Sequence, residues 1–130
     1  MSAIKNAGFI LASTVWVSIC EFSRNQLWLQ SYWVENYAKM GLTFPSQPIN
    51  GAIWGVWALL FSVVVFIITR RFTWLQSAAI GWLLAFPMMW VVIGNLGVLP
   101  FGTLPYAIPF SIVESAGVAF IVSRSPAGNA

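Results

Sequence analysis

The sequence predicts an all-α integral membrane protein whose four transmembrane helices form an antiparallel bundle. Of its 130 residues, 59% are hydrophobic and only 7% are charged, whereas about 25% of the residues in soluble domains are charged. The segment from Ile49 to Thr69 has no charged side chain. At about 1.5 Å per residue, its length covers the roughly 30 Å hydrocarbon core of a bilayer.

Three further apolar segments complete the predicted domain. We place the four spans at about 3–23, 49–69, 73–94 and 104–123, in a single domain that covers residues 1–130. The first segment is similar in length to a signal peptide, but no small-x-small cleavage pattern closes it, so we expect a retained span. Asn50 and Thr73 are predicted to cap the second and third spans, and Pro87 is predicted to kink the third.

The segment between the first two spans has a helical pattern of its own. Its apolar residues recur at spacings of three or four: Leu29, Trp33, Tyr37 and Met40. This pattern predicts either an amphipathic interfacial helix or a helical extension of the first span over residues 24–41. Gly41 is placed to end that helix. Pro45 and Pro48 cannot continue it, because proline lacks an amide donor.

The distribution of cations predicts the orientation. If the hairpin at Arg70 and Arg71 is cytoplasmic, four cations lie on that side: Lys5, Arg70, Arg71 and Arg124. Arg24 and Lys39 then lie on the other side. The positive-inside rule therefore predicts that both termini are cytoplasmic, in a membrane of bacterial inner-membrane type.

Several function classes lack the residues that they need. Cys20 is the only cysteine, which excludes an intramolecular disulfide, and the chain has no histidine. The commonest metal and haem ligand is therefore missing, as is the base of most nucleophilic triads. There is no glycine-rich phosphate loop. We predict a non-enzymatic protein without a metal or cofactor, and the scattered cations predict lipid contact rather than nucleic-acid binding.

Two acids lie within or beside the apolar spans. A charge at the centre of a bilayer costs about 2.5 to 3.5 kcal/mol on insertion scales, so Glu114 is predicted to be protonated or to have a partner. Glu21 and Arg24 are three residues apart and are expected to pair with each other. Side chains at the predicted depth of Glu114 could donate a hydrogen bond to it: Thr14, Trp16 and Trp82. Helix tilt would also allow Arg24 to reach Glu114.

Two polar stripes predict which helix faces point inward. In the first span, residues at spacings of four, three and four are polar: Thr14, Ser18, Glu21 and Asn25. In the fourth span, four polar or small residues share a sector: Ser111, Glu114, Ser115 and Gly117. Faces that contact lipid have no need of such residues. We therefore predict that both stripes point into the bundle and face each other as a polar site.

The tryptophans and a glycine pair complete the candidate features. Three tryptophans lie near predicted interfaces, as anchors do: Trp28, Trp33 and Trp74. Four others fall deeper, where they would fill the core or line a slot for a flat or chain-like hydrophobic ligand: Trp16, Trp57, Trp82 and Trp90. Gly51 and Gly55 form a GxxxG motif, which favours intramolecular helix packing over homodimerisation.

These features leave three functional hypotheses. The first is a structural or accessory subunit of a membrane complex, or a homo-oligomer, in which the buried polar groups join helices. The second is a small transporter or channel coupled to protons or cations through Glu114 and Glu21. The third is a protein that binds a lipid, a quinone or a pigment. In each case the expected partners are the bilayer and either another protein or a second copy.

Overall fold

The computed structural model describes residues 2–127, and every regular element in that range is helical. The helices are α1 (Ser2–Phe22), α2 (Gln30–Lys39), α3 (Pro48–Thr69), α4 (Trp74–Ala85), α5 (Pro87–Asn95) and α6 (Leu104–Ser123). A π-helical turn, Ser23–Trp28, extends α1, and a 3-10 turn, Phe101–Thr103, precedes α6. Four helical stretches are long and apolar enough to cross a membrane: Ser2–Trp28, Pro48–Thr69, Trp74–Asn95 and Phe101–Ser123. The predicted all-α class is thus confirmed, as are four helical segments long and apolar enough to cross a membrane.

The last helix, α6, is the centre of the packing. It contacts α1, α3 and α4, while α3 also packs on α1 and α4. The apolar core is built mainly from small and β-branched side chains together with two phenylalanines: Val17, Ala58, Phe61, Val65, Phe86, Val118, Ala119 and Val122. Small side chains allow helix axes to approach closely, which increases van der Waals contact between them.

Of the two predicted helix N-caps, Thr73 is confirmed and Asn50 is not. Thr73 caps α4 as predicted, in a capping box in which its hydroxyl accepts from the Gln76 amide and the Gln76 side chain accepts from the Thr73 amide. The cap predicted at Asn50 is wrong, because α3 begins earlier, with Gln47 at its N-cap. Pro48 takes the first helical position, where its missing N–H costs no hydrogen bond.

At the predicted kink, one residue, Phe86, interrupts the helix between α4 and α5. The residue before the proline, Phe86, has φ −113° and ψ −69°, which lies outside the usual helical range. Its side chain is fully buried. The break therefore turns an aromatic ring into the bundle at mid-height of the third span.

The segment between α1 and α3 combines both predicted alternatives. The π-helical turn extends α1, and after Leu29 the separate helix α2 begins. As predicted, Gly41 ends α2. It has φ +72°, and the Leu42 amide donates to the Tyr37 carbonyl at 2.9 Å, which is the Schellman arrangement.

One face of α2 packs on the rest of the chain. Its half-buried residues are Gln30, Tyr32, Trp33, Asn36 and Tyr37, whereas Met40 is exposed. The Asn36 side-chain amide donates to the Val98 carbonyl at 2.9 Å. The contact face is therefore rotated from the predicted apolar stripe toward Asn36, because this helix meets a backbone carbonyl as well as apolar groups.

The glycine contacts contradict the packing role predicted for the GxxxG motif. A Cβ atom added at Gly51 or Gly55 would have no other atom within 4 Å. Neither glycine is therefore needed for close packing against another helix of this chain. The close approach occurs at Gly117 instead, where an added Cβ would overlap the Trp16 indole ring.

We predict that Gly117→Ala lowers the free energy of unfolding by about 1 to 3 kcal/mol, the usual cost of overpacking. Unfolding would be followed by circular dichroism in micelles titrated with sodium dodecyl sulfate. Gly55→Ala is the matched control, and because alanine favours helix it should be neutral or stabilising by up to about 1 kcal/mol. Equal losses in both variants would contradict the packing described.

Candidate functional site

A buried ionic cluster joins α1 to α6, and its centre is Arg24. One guanidinium nitrogen, Nη2, lies 2.6 Å from Glu21 Oε1, and the other, Nη1, lies 3.2 Å from Glu114 Oε1. Arg24 is only 4% exposed and Glu114 is 0% exposed. The predicted Glu21–Arg24 pair is present, and Arg24 is also the partner of Glu114. One cation thus serves two carboxylates.

The local chain geometry explains how Arg24 reaches both acids. Arg24 lies in the π-helical turn, where its carbonyl accepts from the Leu29 amide at 2.7 Å. Such a turn adds a residue to the helical repeat and is frequent at functional sites. Glu21 precedes Arg24 by three residues, so both lie on the same helix face. The face that meets α6 can therefore present a cation and an anion side by side.

Two aromatic rings complete the surroundings of the Arg24 side chain. Its Cζ atom lies 5.4 Å from the centre of the Phe86 ring and 5.5 Å from that of the Phe110 ring. Both distances are within the range of cation–π attraction. Phe86 lies between α4 and α5, directly before Pro87. The third apolar segment therefore contributes one of the two rings beside the Arg24 guanidinium. The guanidinium is compensated by two carboxylates and two π faces.

The donors predicted for the Glu114 carboxylate have other partners, so that prediction is wrong. Trp16 Nε1 donates to the backbone carbonyl of Glu114 at 2.9 Å. Trp82 Nε1 donates to Ser111 Oγ at 2.9 Å, and the Thr14 hydroxyl donates to a carbonyl of its own helix, that of Ile10. Within residues 2–127, Glu114 Oε2 has no hydrogen-bond partner. Arg24 is thus the donor that holds this carboxylate.

The predicted polar stripe is correct on α6. Ser111, Glu114 and Ser115 are fully buried, and Ser115 Oγ donates to the Ala78 carbonyl of α4 at 2.8 Å. Gly117 is half-buried against Trp16. This face therefore points into the bundle, where its hydroxyls and its carboxylate bond to neighbouring helices.

On α1 the prediction is wrong by one helical position. The buried residues are Ser13, Val17, Cys20 and Arg24. Thr14 and Ser18 are half-buried and line a shallow outer groove with Val15 and Ile19. Two of the buried residues are apolar or weakly polar, so the true inward face does not read as a polar stripe.

Because the predicted inward face of α1 was off by one position, a polar contact between α1 and α3 was not predicted. Ser13 Oγ and Ser62 Oγ, both fully buried, lie 2.9 Å apart and share a hydrogen bond between α1 and α3. A lone serine inside an apolar run carries no periodic signal. Only the shared spacing of Ser13 and Arg24, three helical turns apart, could have indicated that they lie on one face.

A chain of hydrogen bonds leads from the ionic cluster into a cavity. Asn25 Nδ2 donates to Glu21 Oε2 at 3.0 Å, and Trp33 Nε1 donates to Asn25 Oδ1 at 3.1 Å. Glu21, Asn25 and Trp33 all line the cavity. Two of the residues predicted for the polar site therefore form its inner wall, while Arg24 and Glu114 lie behind that wall.

The cavity has a volume of about 380 Å³ and lies between the end of α1, α2, the first half of α3, and α5. Five of its lining residues are aromatic: Trp33, Tyr37, Phe44, Trp54 and Trp57. The others are Glu21, Asn25, Pro45, Asn50, Ile53, Met89 and Ile93. Most of the lining is thus aromatic or aliphatic, with one carboxylate and two side-chain amides, and we call this cavity the aromatic pocket.

The tryptophans divide between packing and this pocket. Trp82 and Trp90 pack edge to face with ring centres 6.4 Å apart, and Trp28 packs edge to face on Tyr106 at 5.5 Å. Trp33 and Trp57 line the pocket. Of the four tryptophans predicted to lie deep, Trp57 lines the cavity and the other three do not, so the slot for a hydrophobic ligand stays a prediction.

Comparisons with protein-family models, with curated proteins and with solved structures find no match to this chain. Its functional interpretation therefore depends on the ionic cluster and on the aromatic pocket.

We predict that Arg24→Gln lowers the free energy of unfolding by about 3 to 5 kcal/mol, because it leaves two acids without their shared cation. The measurement is an unfolding titration in micelles. Arg71→Gln makes the same substitution at an exposed position and should change stability by less than about 0.5 kcal/mol. A loss at Arg24 no larger than that at Arg71 would show that the cluster does not stabilise the fold.

Proposed function

We propose that this chain is an integral membrane protein that binds a small, largely apolar molecule in the aromatic pocket and does not turn it over. The pocket is the observation that carries this proposal. Its volume of about 380 Å³ lies in the range of ligand sites, roughly 300 to 1,000 Å³. Its lining also follows their usual composition, mostly apolar and aromatic with a few converging polar groups.

Membrane insertion is supported by the outer surface of the helices. Large apolar side chains are exposed along all four spans, among them Leu11, Ile19, Ile53, Leu60, Leu83, Val91 and Val113. A soluble protein of this size rarely leaves so much contiguous apolar surface in water. A bilayer would cover it, because lipid tails are as apolar as these side chains.

The proposed topology has four antiparallel crossings with both termini cytoplasmic. Only Arg70 to Thr73 connect α3 to α4, a link too short for anything but a hairpin. The cation count then favours Arg70, Arg71 and Arg124 on the cytoplasmic side. In this orientation the aromatic pocket lies toward the external side, where α1 ends and α3 begins.

We predict that a cysteine at Ser46 reacts with a membrane-impermeant maleimide in intact cells, whereas one at Pro126 reacts only after the membrane is opened. Both positions are exposed, so accessibility depends on the side of the membrane. Wild-type protein, whose Cys20 is buried, is the blank. Labelling of both cysteines in intact cells would contradict the four-crossing topology.

We predict that native mass spectrometry of the full chain from mild detergent shows a bound molecule, and that Met89→Trp removes it by filling the aromatic pocket. Met88→Trp is the matched control, because Met88 is the exposed neighbour that does not line the pocket. Equal retention by both variants, or wild-type protein that is folded and empty, would refute the binding role.

A second candidate function is transport coupled to a proton or cation. The observation in its favour is that Arg24 is shared by two acids while Glu114 Oε2 has no partner within residues 2–127. A carboxylate so placed could take up and release a proton. Liposomes with an internal pH dye separate the two roles: ion-coupled flux abolished by Glu114→Gln supports transport, and binding without flux supports the first proposal.

The role of structural or accessory subunit, or of homo-oligomer, stays a prediction. Buried hydrogen bonds between helices, such as Ser13–Ser62 and Ser115–Ala78, are compatible with it because they join helices without any chemistry. Tight copurification with a larger complex would support this role. The aromatic pocket would then be a lipid site within that complex.

A further inference from the structure

We propose that the aromatic pocket selects an organic cation, a quaternary or tertiary ammonium group on an apolar body, and that the positive charge lies beside Glu21. This inference rests on the proposed binding function and specifies the ligand class. It is carried by three features of the pocket: the charge of its lining, its aromatic faces, and the position of Arg24 behind its wall.

The lining of the pocket has one formal charge, and it is negative. Glu21 is an acid, and none of the other lining residues is lysine or arginine. The cluster behind the wall adds a second acid, Glu114, and only one cation. Arg24 lies between these two carboxyl groups and is not part of the pocket lining. A carboxylate or phosphate ligand would meet the Glu21 carboxylate in the pocket, whereas the cation that pairs with it, Arg24, lies behind the wall.

The aromatic residues supply the second feature. The faces of tryptophan and tyrosine attract cations, and aromatic cages are the usual protein sites for quaternary ammonium groups. Trp33, Trp54 and Trp57 surround the same cavity as the Glu21 carboxylate. A neutral hydrocarbon would gain the apolar contact of these rings, but only a cation gains both the π faces and the carboxylate.

The hydrogen bonds of Glu21 leave it able to accept a ligand. Its Oε1 accepts from Arg24 and its Oε2 from Asn25. A carboxylate has about four acceptor sites, so two bonds do not exhaust it. Arg24 is buried and is also held by Glu114 at 3.2 Å. The guanidinium therefore fixes the carboxylate from behind without occupying the cavity itself.

The test compares two probes of equal shape, benzyltrimethylammonium and its neutral carbon isostere neopentylbenzene. The dissociation constants are measured by ligand-observed NMR with the full chain in dodecyl maltoside micelles, with empty micelles as the blank. We expect the ammonium probe to bind about tenfold more tightly than its neutral isostere, from cation–π and carboxylate attraction together. Equal binding of the two probes would overturn the inference.

Two pairs of variants assign the selectivity to the pocket. Glu21→Gln should remove most of the preference for the ammonium probe, whereas Glu35→Gln, an equal charge change at an exposed position of α2, should leave it intact. Trp54→Leu leaves the ionic cluster unchanged and should weaken binding of the ammonium probe more than binding of the neutral probe. Trp74→Leu, a substitution outside the pocket, should leave the dissociation constants of both probes unchanged. Equal effects within either pair would overturn the inference.

The outcomes separate this inference from the proposed function. If neopentylbenzene binds and Met89→Trp abolishes that binding while the ammonium probe shows no advantage, the pocket binds ligands and the cation inference is wrong. If neither probe binds to folded protein, the proposed function fails as well. Displacement of the ammonium probe by dihexanoylphosphatidylcholine, but not by dihexanoylphosphatidylglycerol, would identify a lipid headgroup as the source of the cation, and no displacement would indicate a free one.

Discussion

The structure depends on one constraint: a guanidinium buried between α1 and α6 needs compensation from both helices. Removing a charge from water costs several kcal/mol, and a partner repays that cost only when geometry and hydrogen bonding are good. Arg24 meets this condition with Glu21 on its own helix and Glu114 on the partner helix. An arrangement of the helices that separated α1 from α6 would leave Glu114 without the cation that holds it.

Two irregular parts of the helices lie at the Arg24 side chain. The π-helical turn at Ser23–Trp28 contains Arg24, and the break at Pro87 places Phe86 against it. Close contacts elsewhere hold the same two helices together, since the Trp16 indole fits over Gly117 and donates to the Glu114 carbonyl.

Sequence reasoning predicted the elements well and their rotation less well. Hydropathy identified all four apolar spans, and turn chemistry identified the Thr73 cap, the Gly41 end and the Pro87 break, because each depends on residues close in sequence. The predicted inward face of α1 was off by one position. Thr14 and Ser18 have the spacing of a polar stripe, but it is Ser13 that forms the hydrogen bond to another helix. The Arg24–Glu114 contact joins residues 90 positions apart, and predicted depth alone gave a different donor.

The proposed ligand site, the aromatic pocket, lies next to this ionic cluster, because Glu21 belongs to both. The packing of α1 on α6 therefore depends on an energetic link between Arg24 and Glu114, which a double-mutant cycle measures directly. Arg24→Gln, Glu114→Gln and the double variant would be compared with wild type by unfolding in micelles. We expect a coupling free energy of about 1 to 3 kcal/mol, as for buried groups in direct contact. Additive effects, with coupling below about 0.5 kcal/mol, would contradict the account.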